Sequence, residues 1–172
     1  AGSDRILSLM NRRYTREKYL SEIKMLRDLI PNCAVTTDLI VGFPTETEED
    51  FLQTLSLVKE ADFSSAFTFV YSPRTGTKAA QMEGRIPEEV SKERIMRLVD
   101  AVNENTRLKS LEYVGKVTEI LCEDYDEKKG LYLGRNESGR MGYFASDKNV
   151  IGEFVDLRVE RANGISLFGT LV

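Results

Sequence analysis

The segment 36–51, TTDLIVGFPTETEEDF, limits what this chain can fold into more than any other. An apolar run, Leu39-Ile40-Val41, meets a Gly42-Phe43-Pro44 turn and then a helix start. With no polar alternation, the run predicts a strand covered on both faces, as in a parallel sheet. Two capping boxes compete for the helix start, Thr45 with Glu48 and Thr47 with Asp50. Phe51, Leu55 and Val58 then recur at helical spacing. Such a unit puts its turn at the carboxyl edge of the sheet, where α/β proteins bind ligands. Asp38 lies inside the apolar run, where a carboxylate needs a partner. It reads equally as a hydrogen-bonded strand aspartate and as a ligand contact.

The flanking sequence keeps this rhythm. Residues 3–14 open with a Ser/Asp cap and carry a short stripe of Ile6, Leu9 and Met10. Thr15 caps a second helix whose face is Tyr19, Ile23, Leu26 and Ile30, stopped by Pro31-Asn32. The strand at 34–42 and its helix to about 60 follow. The β-branched and aromatic run 65–71 predicts another strand. Pro87 with Glu88 and Glu89 starts a helix reaching about 112, with Val90, Ile95, Leu98, Val102 and Leu108 on its buried side. Helix, strand, helix, strand, helix is the order of a (β/α) barrel or open parallel sheet. A closed eight-unit barrel typically takes ~250 residues, more than this chain has.

After Tyr113 the pattern changes. Strand-like runs fall at 114–122, 131–136, 140–145, 154–161 and 165–172. Val155, Leu157 and Val159 alternate with charged residues, Asn163-Gly164 is a strong hairpin signal, and Ser138-Gly139 marks another turn. Short strands so closely spaced predict a small barrel of the OB type, with a domain boundary near 112–115.

Composition removes several chemistries. Histidine is absent, which excludes a Ser-His-Asp triad, a histidine base and histidine-ligated zinc within this chain. Two distant cysteines, Cys33 and Cys122, form neither a disulfide framework nor a CxxC site, and fit a reducing, cytoplasmic setting. No apolar stretch approaches the ~20 residues of a membrane span. The net charge of −4 carries no basic field for nucleic acid, so RNA recognition would need a local patch. The chain opens without Met and runs straight into helix-like sequence, which points to a piece of a longer protein.

Several clusters allow a plain and a functional reading. Arg12, Arg13 and Arg16 form either a solvated basic face or a fork for a carboxylate or phosphate. Tyr71-Ser72-Pro73-Arg74 ends a strand on the same edge as Gly42-Phe43-Pro44, and two such loops can frame a ligand. Arg135, Arg140, Tyr143 and Phe144 lie on two arms of one hairpin and could join charge to a stacking surface for RNA, although the aromatics could equally be core. No glycine-rich phosphate loop is present.

The motifs 2–7 (GSDRIL), 10–15 (MNRRYT), 37–44 (TDLIVGFP) and 69–77 (FVYSPRTGT) together resemble the radical S-adenosylmethionine methylthiotransferases, along the whole chain. Residues 11–14 and 65–69 are most similar to the MiaB type, which adds a methylthio group to N6-isopentenyladenosine next to a tRNA anticodon. Relatives act instead on threonylcarbamoyladenosine in tRNA or on a ribosomal protein. The resemblance implies an α/β fold: a partial (β/α) radical-SAM-type barrel over 1–112, then a small all-β OB-like TRAM barrel over 113–172. It implies a cofactor site in which Arg12 holds the methionyl carboxylate and Asp38 the ribose. Ile40 and Gly42 would lie against adenine, and the backbone at Tyr71 and Ser72 would read the adenine edge. Arg135, Arg140, Tyr143 and Phe144 would be the RNA-binding residues. The family uses S-adenosylmethionine and two 4Fe-4S clusters on six cysteines that this chain does not carry, so no catalytic or metal-binding residue is expected here and the chain alone is expected to be inactive. Thr45 departs from the glycine frequent in the family's turn. The implied partner is a tRNA anticodon stem-loop, with self-association through an open barrel edge; a stand-alone RNA-binding module is the other reading.

Overall fold

The computed structural model describes residues 1–172, in two compact units, Ala1–Asn105 and Thr106–Val172. The first begins with α1 (Asp4–Leu9), whose Ser3 cap accepts from the Ile6 amide. Asn11 ends it in the left-handed region, φ 59°. The Asn11 amide then reaches Ser8 O and the Arg12 amide Leu7 O, both at 2.9 Å. These paired bonds satisfy carbonyls that a helix end otherwise leaves bare. Helix α2 (Arg16–Leu29) is capped by Thr15 and buries Ile23, but Ile30, expected on the same stripe, is the exposed C-cap.

Strand β1 (Thr36–Val41) leads to α3 (Glu48–Ala61), and β2 (Ser65–Val70) pairs with β1 in parallel, Asp38 opposite Phe67 and Ile40 opposite Phe69. Leu39 and Val41 pack against Phe51 and Val58 of α3 and Leu98 and Val102 of α4 (Glu88–Leu111), with Ala66 beside them. Each such side chain contributes about 1.5–3 kcal/mol by leaving water. Period-two alternation turns Asp38, Ile40, Phe67 and Phe69 to the opposite face. There Phe67 is 70% and Phe69 48% exposed. The expectation of a strand covered on both faces is therefore corrected: helices cover one face of this two-stranded sheet and the other is open.

Of the two capping boxes, Thr47 with Asp50 forms. Thr45 cannot cap, because it sits at φ 67° in the turn itself. Its amide donates to Gly84 O at 2.7 Å. Gly84 has φ 76°, and a Cβ there would come within 2.8 Å of Thr45 Cγ2. A β-branched residue in the left-handed region costs about 1–2 kcal/mol. Thr45→Gly should therefore raise the unfolding free energy by about 1 kcal/mol. Urea denaturation checks this; a fall would mean that the contact of Arg5 Nη1 with Thr45 Oγ1 (3.2 Å) outweighs the strain.

The buried stripe of α4 is Ser91, Arg94, Leu98 and Val102. Val90 and Leu108, expected on that side, are exposed. Polar residues occupy the buried positions because each fits a particular neighbour. Ser91 lies where a Cβ on Gly42 would approach its Oγ to 2.6 Å, and Arg94 meets Glu46.

In the second unit β3 (Val117–Asp126), β4 (Leu131–Arg135), β5 (Met141–Phe144), β6 (Phe154–Asn163) and β7 (Ser166–Leu171) close into a barrel in the order β3-β4-β5-β7-β6. The β5–β7 pair is parallel and the others antiparallel. Bulges at Cys122/Asp124 and Val159/Arg161 bend the two long strands, and closure leaves no unpaired edge. Ile120, Cys122, Phe144, Val150, Leu157, Val159 and Leu167 fill the interior. The hairpin falls where the Asn-Gly signal placed it but one residue on: Asn163 pairs with Ser166, and the two-residue loop is Gly164-Ile165, with glycine at the first central position at φ 55°.

Candidate functional site

The carboxyl end of β1 is held by a buried polar clamp. The Gly42 amide donates to Glu46 Oε1 at 3.2 Å. Arg94 Nη1 donates to the same oxygen at 2.9 Å and to the Glu46 carbonyl at 3.1 Å. The two side chains are 6% and 2% exposed. Burial pushes the Glu46 carboxyl up, against the Gly42 amide and the Arg94 guanidinium, which draw it down. Just outside lies Asp50. Burial pushes its carboxyl up too, but hydrogen bonds from Arg5, Ser3 and Thr47 outweigh this and hold it well below the usual carboxylate range. Glu46 thus ties the turn to Arg94 of α4, and Asp50 ties the start of α3 to Ser3 and Arg5.

Beside the clamp, the Tyr71 amide donates to Val41 O at 2.8 Å, so the chain leaving β2 stays against β1. The Tyr71 ring meets Phe43 edge-on, centroids 5.0 Å apart. Its buried hydroxyl has no hydrogen-bond partner. Asp38 and Ile40 share the open face, with Phe69 level with Ile40; Gly42, at φ 73°, turns the chain at the end of it. Asp38 is exposed rather than enclosed in the strand, so the need for a buried partner is removed. Ser72 is exposed beyond Tyr71, and Arg12 is exposed after α1, with no hydrogen bond joining it to the others. The structure therefore puts Asp38 and Ile40 on one open face of β1, with Gly42 and Tyr71 following at the carboxyl end of the sheet. An exposed carboxylate beside an aliphatic and aromatic wall can accept from hydroxyls while a flat heterocycle lies on the wall.

Two sequence expectations for the second unit are corrected. Arg140 is 2% exposed: its Nη1 donates to Ser110 Oγ at 2.6 Å and its guanidinium lies 5.5 Å from the Tyr113 ring centre. Phe144 is in the barrel core. Neither is available to RNA in this fold. Strand alternation explains Phe144, since Gly142 and Phe144 point inward and Met141 and Tyr143 outward. Tyr143 is half-buried on the outer wall. Arg135 is exposed and donates from Nη1 to Glu123 Oε2 at 2.7 Å.

Sequence reasoning missed Phe67 and Phe69, although Phe67, Phe69 and Tyr71 share one parity, which marks a common face. It also missed Glu46 and Arg94, 48 residues apart, for which no local signal exists. Cys33 is half-buried and Cys122 buried, with burial pushing the Cys122 thiol up. No cluster of histidine, cysteine, aspartate or glutamate is arranged to hold a metal ion, and no helix is long and apolar enough to cross a membrane.

Residues 1–58 match the Radical SAM superfamily and residues 111–172 the TRAM domain. A tRNA-2-methylthio-N(6)-dimethylallyladenosine synthase of Clostridium botulinum (strain Langeland / NCTC 10281 / Type F) is 50% identical over 172 residues, 98% of this chain and 38% of the relative. One of the same description from Clostridium perfringens (strain SM101 / Type A) is 47% identical over 173 residues, 100% of this chain and 39% of the relative. The chain thus spans well under half the length of these curated relatives.

Proposed function

We infer that this chain, which joins radical SAM superfamily sequence to a TRAM domain, supplies the nucleoside-holding edge and the RNA-holding barrel of an enzyme that adds a methylthio group to N6-isopentenyladenosine in tRNA. The observation that carries the first part is the shared open face of Asp38 and Ile40, ending at Gly42 and flanked by Phe69 and Tyr71. Asp38 would accept from the two ribose hydroxyls of S-adenosylmethionine. Ile40 and the Gly42 turn would lie along the adenine, and the backbone at Tyr71 and Ser72 would meet its polar edge. Arg12 would receive the methionyl carboxylate in a bidentate pair. The open face is the right chemistry for this group: an exposed acid, a half-buried aliphatic wall and the exposed rings of Phe67 and Phe69.

When bound at a reduced 4Fe-4S cluster, S-adenosylmethionine supplies the radical that such enzymes use. Two cysteines cannot complete the thiolate sets of two clusters, so those ligands belong to other sequence of the enzyme. What this chain does is bind, orient and shield. On this reading β1 and β2 are two strands of a (β/α) barrel over 1–112, and their open face lines its interior. In the chain by itself, the exposed Phe67 and Phe69 would favour self-association. The barrel at 113–172 would hold the anticodon stem-loop, with Arg135 and Tyr143 on its outer wall, in a cytoplasmic enzyme.

The first part is tested by titrating S-adenosylhomocysteine into the isotopically labelled chain. NMR shifts should concentrate at Asp38, Ile40, Phe69 and Tyr71, and Asp38→Ala should weaken binding about tenfold, the loss of a pair of charge-assisted hydrogen bonds. Shifts confined to other residues, or an unchanged affinity in Asp38→Ala, would sink the assignment.

A further inference from the structure

We propose that unpaired bases of RNA stack on one strip of the barrel's outer wall, made of Tyr143 and Phe168 with Lys129 and Arg161 at its two ends. The proposal rests on the RNA-holding role given above to this barrel and names the surface that performs it. Three strands build the strip. Tyr143 on β5 is level with Phe168 on β7, and Phe168 is level with Arg161 on β6. The rings stack with centroids 5.1 Å apart and planes 14° from parallel. The Arg161 guanidinium lies 3.7 Å from the Phe168 ring centre, and Lys129 Nζ, from the β3–β4 turn, 4.6 Å from that of Tyr143. The row therefore runs cation, ring, ring, cation.

Three observations separate this row from ordinary sheet packing. Neither ring belongs to the barrel core or to the partly buried residues packed on it. Both cations are exposed, Lys129 with about half of its side chain in water, paired with Asp126 at 3.1 Å and interacting with the Tyr143 side chain. With the Asp126 partner counted, the strip still carries two cations against one carboxylate in a chain whose net charge is −4. Base faces stack on rings and on guanidinium planes, while phosphates between the bases pair with the flanking cations. A cation covering a ring is also readily replaced: a base takes the place of the Lys129 ammonium on Tyr143, and the freed ammonium reaches a phosphate. Spaced cations with rings between them match a single strand, whose bases are free to stack. Bases in a duplex are already stacked and paired.

The test is fluorescence anisotropy of the whole chain with a labelled single-stranded oligoadenylate of about 12 nucleotides and an abasic ribose-phosphate strand of the same length. Phe168→Ala should weaken oligoadenylate binding about tenfold or more. Arg161→Ala and Lys129→Ala, which leave the core untouched, should each weaken it severalfold and lower the salt dependence. Arg158→Ala, an exposed arginine of β6 outside the row, should leave it unchanged. The abasic strand should bind the wild-type chain no better than oligoadenylate binds Phe168→Ala. Full binding retained in Phe168→Ala and Arg161→Ala would overturn the strip while leaving the RNA-holding role intact. Equal affinity for the abasic strand would overturn stacking. No binding by the wild-type chain, even at low salt, would overturn the strip and the role together.

Discussion

Arg94→Met should lower the unfolding free energy of the first unit by about 3–5 kcal/mol, the cost of leaving a buried charge without its partner. Glu46 is 2% exposed and has no other guanidinium on its carboxylate. The methionine fills much of the space but donates nothing, so the loss is electrostatic rather than a cavity. Two further measurements identify that cause. Adding Glu46→Gln to Arg94→Met should recover most of the loss, because a neutral pair of similar size removes the stranded charge. The deficit should also depend on pH. Burial already pushes the Glu46 carboxyl up, and losing Arg94 pushes it further in the same direction. A carboxyl whose folded value lies above its unfolded one, about 4.3, gives stability that is present in acid and lost as pH rises through the folded value. The gap between variant and wild type should thus be smallest near pH 4 and widen toward neutrality. A loss independent of pH, or undiminished in the double variant, would show that Arg94 acts by packing alone. Since Glu46 also accepts from the Gly42 amide, the single variant should weaken S-adenosylhomocysteine binding along with stability.

Arg140→Ala should cost the second unit about 3–5 kcal/mol. Arg140 is among the largest fully buried side chains, and its guanidinium is held by Ser110 and the Tyr113 ring. Ser110 in turn donates to Gly164 O at 2.5 Å, so the buried arginine reaches the β6–β7 turn through one hydroxyl. Truncation empties a large volume and strips Ser110 of a charged donor. Ser110→Ala should reproduce part of the loss, and the two changes together should cost less than their sum. Differential scanning calorimetry would measure it. A change under about 1 kcal/mol in Arg140→Ala would return Arg140 to the surface and to the RNA-contact role that the structure removes from it. RNA affinity of the folded Arg140→Ala chain should match wild type, unlike that of Phe168→Ala.

Much of the architecture was legible in the residues. The strands at 36–41 and 65–70, the helix between them and the five barrel strands all announce themselves through periodicity, caps and turns. These signals are local, and each lies within a dozen residues. The motifs 10–15 and 37–44 likewise carry the resemblance that the matches to radical SAM superfamily and TRAM sequence now support. Errors arose where a side chain's role depends on something distant. Val90 and Leu108 are apolar but lie off the buried stripe of α4, because Ser91 and Arg94 fit Gly42 and Glu46 across the fold.

The sequence by itself determined which segments become helix or strand, the parallel pairing of β1 with β2 and the closed barrel after 113. Backbone preference and hydrophobic period act within a segment and need no partner to be known. Only the tertiary structure decided which face of β1 is covered, that Glu46 and Arg94 enclose each other, and that Arg140 is buried against Ser110 and Tyr113 and Phe144 in the barrel core while Tyr143 joins Phe168, Lys129 and Arg161 outside it. Those outcomes depend on strand register and on charges brought together from far along the chain, and no window of sequence contains both partners.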